Sequence, residues 1–210
     1  MSRHIATIAF TICISIFIFA LPVHPSEHDS QEAAIASYRE GKLEEAGGAS
    51  DRLIAENPNN DQLKIWRALV SLEQARRMRE SKTPGYKNTV VREWAVLKRL
   101  RRRNYNNPEW CLAVAKAYWL NDRSKKGRKA IEKALYYRSD FPEAKLLLGD
   151  IYFDEALENL KYDPDEDSSR DAAANAANAY QEVLVSKSLL PVQRAEALFK
   201  LGLVESVLRK

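Results

Sequence analysis

From residue 27 onward, apolar positions recur at the three-and-four spacing of an amphipathic helix, and glycines and prolines interrupt the pattern at intervals. The stretch EGKLEEAGGASDRLIAENPNN, residues 40–60, holds one full phrase: a turn at Gly41, an amphipathic run from Leu43, and a Pro-Asn-Asn stop. A longer phrase, PEWCLAVAKAYWLNDRSKKGRKAIEKALYYRSDF, fills residues 108–141, and PEAKLLLGDIYFDEA follows it at once. DQLKIWRALVSLEQA from Asp61 pairs with NTVVREWAVLKRLRRR at 88–103, the insertion RRMRESKTPGYK between them turning at Thr83-Pro84-Gly85. NLKYDPDEDSSRD is a second insertion, before AANAYQEVL at 176–184, and a last helix follows Pro191. The pattern predicts an all-α chain of about nine helices.

The phrases are in register. Pro-Glu at 108–109 recurs at 142–143, 34 residues on, and Tyr118 with Tyr152 and Ala115 with Gly149 keep that spacing. This register resembles the tetratricopeptide repeat (TPR) family, in which the eighth position is small, the eleventh aromatic, and the twentieth and twenty-seventh small. The eighth position here is Ala34, Ala68, Ala115 and Gly149. Tyr118 and Tyr152 fill the eleventh, where Ser37 and Ser71 depart from the pattern. Ala46 and Gly127 stand at the twentieth, Ala134 and the larger Leu53 at the twenty-seventh. Small residues serve there because antiparallel backbones approach closely only where side chains are short. The resemblance implies an α-solenoid of units 27–60, 61–107, 108–141 and 142–190 with a capping helix at 191–210. Its core is expected to hold Ala34, Leu43, Ala68, Trp94, Leu97, Ala115, Tyr118, Ile131, Ala134, Leu148, Gly149, Tyr152, Tyr180, Leu184 and Leu201.

The first residues follow another rule. Arg3 and His4 precede a stretch from Ile5 to Val23 without a charge, so residues 1–25 read as a signal peptide or a membrane anchor. Either form carries the rest of the chain into the cell envelope, the periplasm in a double-membraned bacterium. Beyond that segment only Cys111 remains, so no intramolecular disulfide forms and packing alone must hold the domain.

Candidate chemistry is sparse. His4 and His24 precede the first repeat and His28 stands at its frayed start, leaving the rest of the body without an imidazole for general base or zinc work. Asp163, Asp165 and Asp167 alternate like the start of a calcium loop, but Ser168 and Ala174 stand where glycine and glutamate are needed. A solvated acidic loop, with Ser168 or Ser169 capping the next helix, is the plainer reading. No enzyme, no cofactor and no metal are expected.

Charge is unevenly spread. The formal net charge is only +4, yet residues 76–103 hold eleven Lys/Arg against two Glu. Lys98, Arg99, Arg101, Arg102, Arg103, Lys125, Lys126, Arg128 and Lys129 form a candidate basic patch for an anionic membrane surface or an acidic partner. The plain alternative is a solvated face with cations suited to a helix C-terminus. Nucleic acid is not expected, for want of interleaved aromatics and because of export.

In the resembled family, first-type helices line a concave face. That implies a partner-binding groove of Tyr38, Arg39, Ile65, Leu69, Leu72, Leu112, Lys116, Trp119, Leu120, Leu146, Asp150 and Phe153. Such a row suits an amphipathic helix or extended peptide; alternatively the superhelix or the last helix buries it. The expected function is a non-catalytic protein-interaction scaffold. Rivals are a carrier of a small hydrophobic ligand or lipid in the same groove, and a structural subunit of an envelope assembly machine.

Overall fold

The structure is a computed structural model that describes residues 27–162 and 167–208. The signal or anchor segment, the aspartates at 163 and 165, and the last two residues of the capping helix lie outside the described residues. Nine helices are described: α1 (Glu27–Arg39), α2 (Leu43–Glu56), α3 (Asp61–Glu80), α4 (Tyr86–Asn104), α5 (Pro108–Trp119), α6 (Ser124–Tyr137), α7 (Pro142–Tyr162), α8 (Asp167–Leu184) and α9 (Pro191–Leu208). None of the described helices is long and apolar enough to cross a membrane.

Local chemistry sets the boundaries. The Asn60 side chain accepts hydrogen bonds from the Gln62 and Leu63 amides at 3.0 and 3.2 Å, satisfying free donors at the start of α3. Asn107 does the same for Trp110 at 2.9 Å, with Pro108 in the first turn of α5. Gly85, at φ 94°, opens α4 from a left-handed conformation that suits glycine.

Helices pair antiparallel in chain order, and each pair stacks on the next: α1 on α2, α3 on α4, α5 on α6, α7 on α8, with α9 against α8. The arrangement is the helix-pair solenoid that the register implies. Its close approaches fall at the small positions. A Cβ added at Gly149 would overlap the Tyr180 ring, 2.6 Å from Cδ1, and one at Gly127 would lie 3.3 Å from the Ala115 carbonyl oxygen.

Two insertions expected as connections are largely helical. α3 runs on to Glu80 and α7 to Tyr162. Arg76 accounts for part of the first extension: its guanidinium pairs with Glu73 at 2.6 Å and Glu80 at 2.5 Å, one turn either side.

First-type helices also touch one another, α3 with α5, α5 with α7 and α7 with α9, and this fills the concave side. Ile65, Leu69, Leu72 and Leu120 are fully buried, and Tyr38, Leu112, Lys116, Trp119 and Leu146 nearly so. Nine of the twelve side chains expected to line an open groove are thus buried in this structure, and Arg39, Asp150 and Phe153 are half-buried. Of the expected core, Trp94, Tyr118, Tyr152, Leu148, Leu184 and Leu201 are only half-buried, and the rest are buried. The exposed face of α9 carries Leu198, Phe199 and Leu203 beside Arg194 and Glu205.

Candidate functional site

The concave face closes through ion pairs as well as packing. Lys116 donates to Glu73 at 2.6 Å and reaches the Tyr38 hydroxyl at 3.5 Å, while Arg39 holds Glu143 at 3.1 Å. Burial alone would raise the Glu73 carboxyl, but Lys116 and Arg76 outweigh it and hold Glu73 well below the usual carboxylate range. Burial opposes the Lys116 charge too, and Glu73 overrides it, raising the ammonium above its ordinary value. Asp150 accepts from Lys200 at 2.6 and 2.8 Å and from the Tyr180 hydroxyl at 2.8 Å. The Trp119 indole N–H donates to Asp154 at 2.8 Å, under the Arg79 guanidinium 5.3 Å from the ring. Phe153 packs half-buried against the α7–α9 core. What remains open among these charges is a pocket of about 140 Å³ lined by residues including Tyr38, Glu73, Lys116, Glu143 and Asp150. Its charged groups satisfy one another, so the arrangement is structural in character.

The other side of the solenoid differs. α4 and α6 stand apart over α5 and enclose a cleft of about 1010 Å³. Its floor is Trp94, Trp110, Cys111, Val114 and Tyr118, and its walls carry Lys98, Arg99, Arg101 and Arg102 from α4 and Lys126, Lys129 and Lys133 from α6. No carboxylate lines it. None of these seven cations takes part in an ion pair among the described residues, although most cations around them do. Arg103 turns outward to Asp61 at 3.0 Å, and Arg128 turns to Glu155 at 2.7 Å while lying over the Tyr152 ring. Lys125 is exposed but does not line the cleft.

The expected basic patch is thus divided: Lys98, Arg99, Arg101, Arg102, Lys126 and Lys129 converge, and Arg103, Lys125 and Arg128 do not. The sequence reading missed Lys133, which continues the stripe 126-129-133 at helical spacing. Aromatics that do not interleave with the basic run in sequence nevertheless gather beside it in the fold. Trp94 and Tyr118 meet in the cleft with ring centroids 4.8 Å apart and planes at 50°, and Tyr105 stands 54% exposed at its end. Folding α5 between α4 and α6 brings together aromatics that are distant in sequence.

Helix physics does not require this charge. Arg101 and Arg102 sit in the last turn of α4, where the dipole favours cations, but Lys126 lies in the first turn of α6, where it opposes them. Burial pushes the Cys111 thiol up to about 11, so the floor offers no nucleophile near neutral pH.

No family model matches the sequence, and no curated protein does. Three solved structures are similar to the chain at low identity. A thermophilic TPR protein of Thermus thermophilus, TTC0263, is 18% identical over 84% of this chain and 99% of its own, with a TM-score of 0.49. The MamA RS-1 ArsTM double mutant is 13% identical over 74% and 76%, with a TM-score of 0.43. A protein from Bacteroides ovatus ATCC 8483 is 18% identical over 87% and 99%, with a TM-score of 0.42.

Proposed function

We propose that this protein is a non-catalytic interaction scaffold of the cell envelope, delivered there by residues 1–25, and that it captures a partner polypeptide in the α4–α6 cleft. One observation carries the choice of surface: seven cations converge over an aromatic floor with no carboxylate lining the cleft to neutralise them. Like charges held side by side destabilise a fold, and a partner that neutralises them recovers that energy. The concave row does not offer a comparable surface, because its apolar side chains are packed and its charges paired. The same burial removes the room that a small hydrophobic ligand would need there.

The test is site-directed photocrosslinking in the native host. A benzoyl-phenylalanine at position 105, at the cleft end, is expected to give one discrete polypeptide adduct that disappears when Lys98→Glu and Lys129→Glu are added. An adduct formed from position 199 on α9, with none from position 105, would move the partner surface away from the cleft and overturn the proposal.

A further inference from the structure

The cleft dimensions and the state of its aromatic rings narrow the chemistry of what it takes. The α4 wall, from Trp94 to Tyr105, is about 16 Å long at a helical rise of about 1.5 Å per residue. That is the length of about five residues of extended chain. Cations line both walls rather than one: Lys98, Arg101 and Arg102 on α4, and Lys126, Lys129 and Lys133 on α6. An extended polypeptide sends successive side chains to opposite sides, so acidic residues lying along the cleft find cations on both sides.

The floor argues against the other polyanions. Single-stranded nucleic acid gains affinity by stacking bases on free aromatic faces, and the rings here are already partly covered. Trp94 and Tyr118 lie against each other, Lys126 covers Tyr118 at 5.9 Å from the centroid, and Lys133 covers Tyr105 at 4.9 Å. The Trp110 indole is buried, with its N–H donated to the Leu97 carbonyl at 3.0 Å. An anionic bilayer presents a flat surface that would meet the cationic rims and leave the recessed floor uncovered. A glutamate side chain has what the cleft asks for: a carboxylate for the wall and two methylenes for the half-buried rings of Trp94 and Tyr118.

We infer that the cleft binds a glutamate-rich segment of about five residues in extended form. This rests on the cleft being the partner surface. Charge complementarity singles out the occupant, and the partly buried rings favour glutamate over shorter aspartate, whose carboxylate leaves one methylene fewer against them.

The experiment uses the full chain and four fluorescein-labelled probes: hexaglutamate, hexaaspartate, hexaglutamine and hexathymidylate. Phosphatidylglycerol vesicles are assayed beside them by sedimentation. Hexaglutamate is expected to bind at least tenfold tighter than hexaglutamine and hexathymidylate and severalfold tighter than hexaaspartate. Its affinity should fall at least tenfold between about 50 and 300 mM salt, as expected for contacts between charges that salt screens. Lys98→Glu with Lys129→Glu should weaken it at least tenfold, whereas Lys125→Glu with Lys187→Glu, the same change of charge outside the cleft, should leave it within twofold. Circular dichroism checks that both variants fold. Tighter, cleft-dependent binding of hexathymidylate or vesicles overturns the glutamate inference and leaves the cleft as the site. Equal loss in both variants overturns the site itself.

Discussion

Lys116 carries two features of the molecule at once. The register puts it on a first-type helix in a position that would face a ligand, but its ammonium is buried and spent on Glu73 and Tyr38. Its role there is to neutralise a carboxylate that could not otherwise be buried. Lys116→Met is expected to destabilise the fold by about 3 kcal/mol, since it leaves Glu73 only Arg76. Glu73→Gln with Lys116→Met should recover most of that loss, measured by chemical denaturation at pH 7. The pH dependence has a definite sign. The Glu73 carboxyl is lowered on folding, so its stabilisation is present above an unfolded value of about 4.3 and fades as pH falls towards the folded one. The Lys116 ammonium is raised, so its stabilisation holds below an unfolded value of about 10.4 and fades as pH rises through the folded one. The parent should therefore lose stability below about pH 4.5 more steeply than the double variant.

At the scale of elements, the sequence was most legible where backbones nearly touch. Ala115 and Gly149 can be read from spacing, and Gly127 from the resembled family's pattern, because a close approach tolerates few residue types. Gly149→Ala tests that. Its Cβ would have to displace the Tyr180 ring, which is wholly buried and tied through its hydroxyl to Asp150. The expected destabilisation is about 1–3 kcal/mol, seen as a lower thermal midpoint. Gly202→Ala is the internal control, because nothing stands within 4 Å of the added atom; it should stabilise by up to about 1 kcal/mol through helix propensity. The insertions were less legible. RRMRESKTPGYK reads as a connection by its charge and its Thr-Pro-Gly turn, yet the first half extends α3, because Arg76, Glu73 and Glu80 pair along one face. Trp94 and Tyr118 read as core by register, and only the separation of α4 from α6 leaves them half-exposed. Nothing in a one-dimensional pattern encodes the gap between two helices that are not neighbours in sequence.

Across the whole molecule, charge and packing are divided between two faces. The concave side is neutralised internally, by Lys116 with Glu73, Arg39 with Glu143 and Lys200 with Asp150. The cleft side holds seven cations without an ion pair among the described residues, more than the formal net charge of +4, so the remainder of the chain is net negative. A fold selected for stability alone would have placed some of its carboxylates in the cleft, since they are abundant elsewhere. A surface kept unstable for the sake of binding makes a prediction of its own. Charge reversal on a folded surface usually changes little or destabilises, but Lys98→Glu with Lys129→Glu should stabilise this protein by about 1 kcal/mol, by replacing repulsion across the cleft with attraction. For a domain of this size, that corresponds to a rise of about 2–4 °C in the thermal midpoint, measured by calorimetry at low salt. The rise should shrink as salt screens the repulsion in the parent. A variant more stable than its parent and unable to hold an acidic ligand would mark the cleft as a site that trades stability for capture; a lowered midpoint would mean that the cations stabilise the fold where they stand.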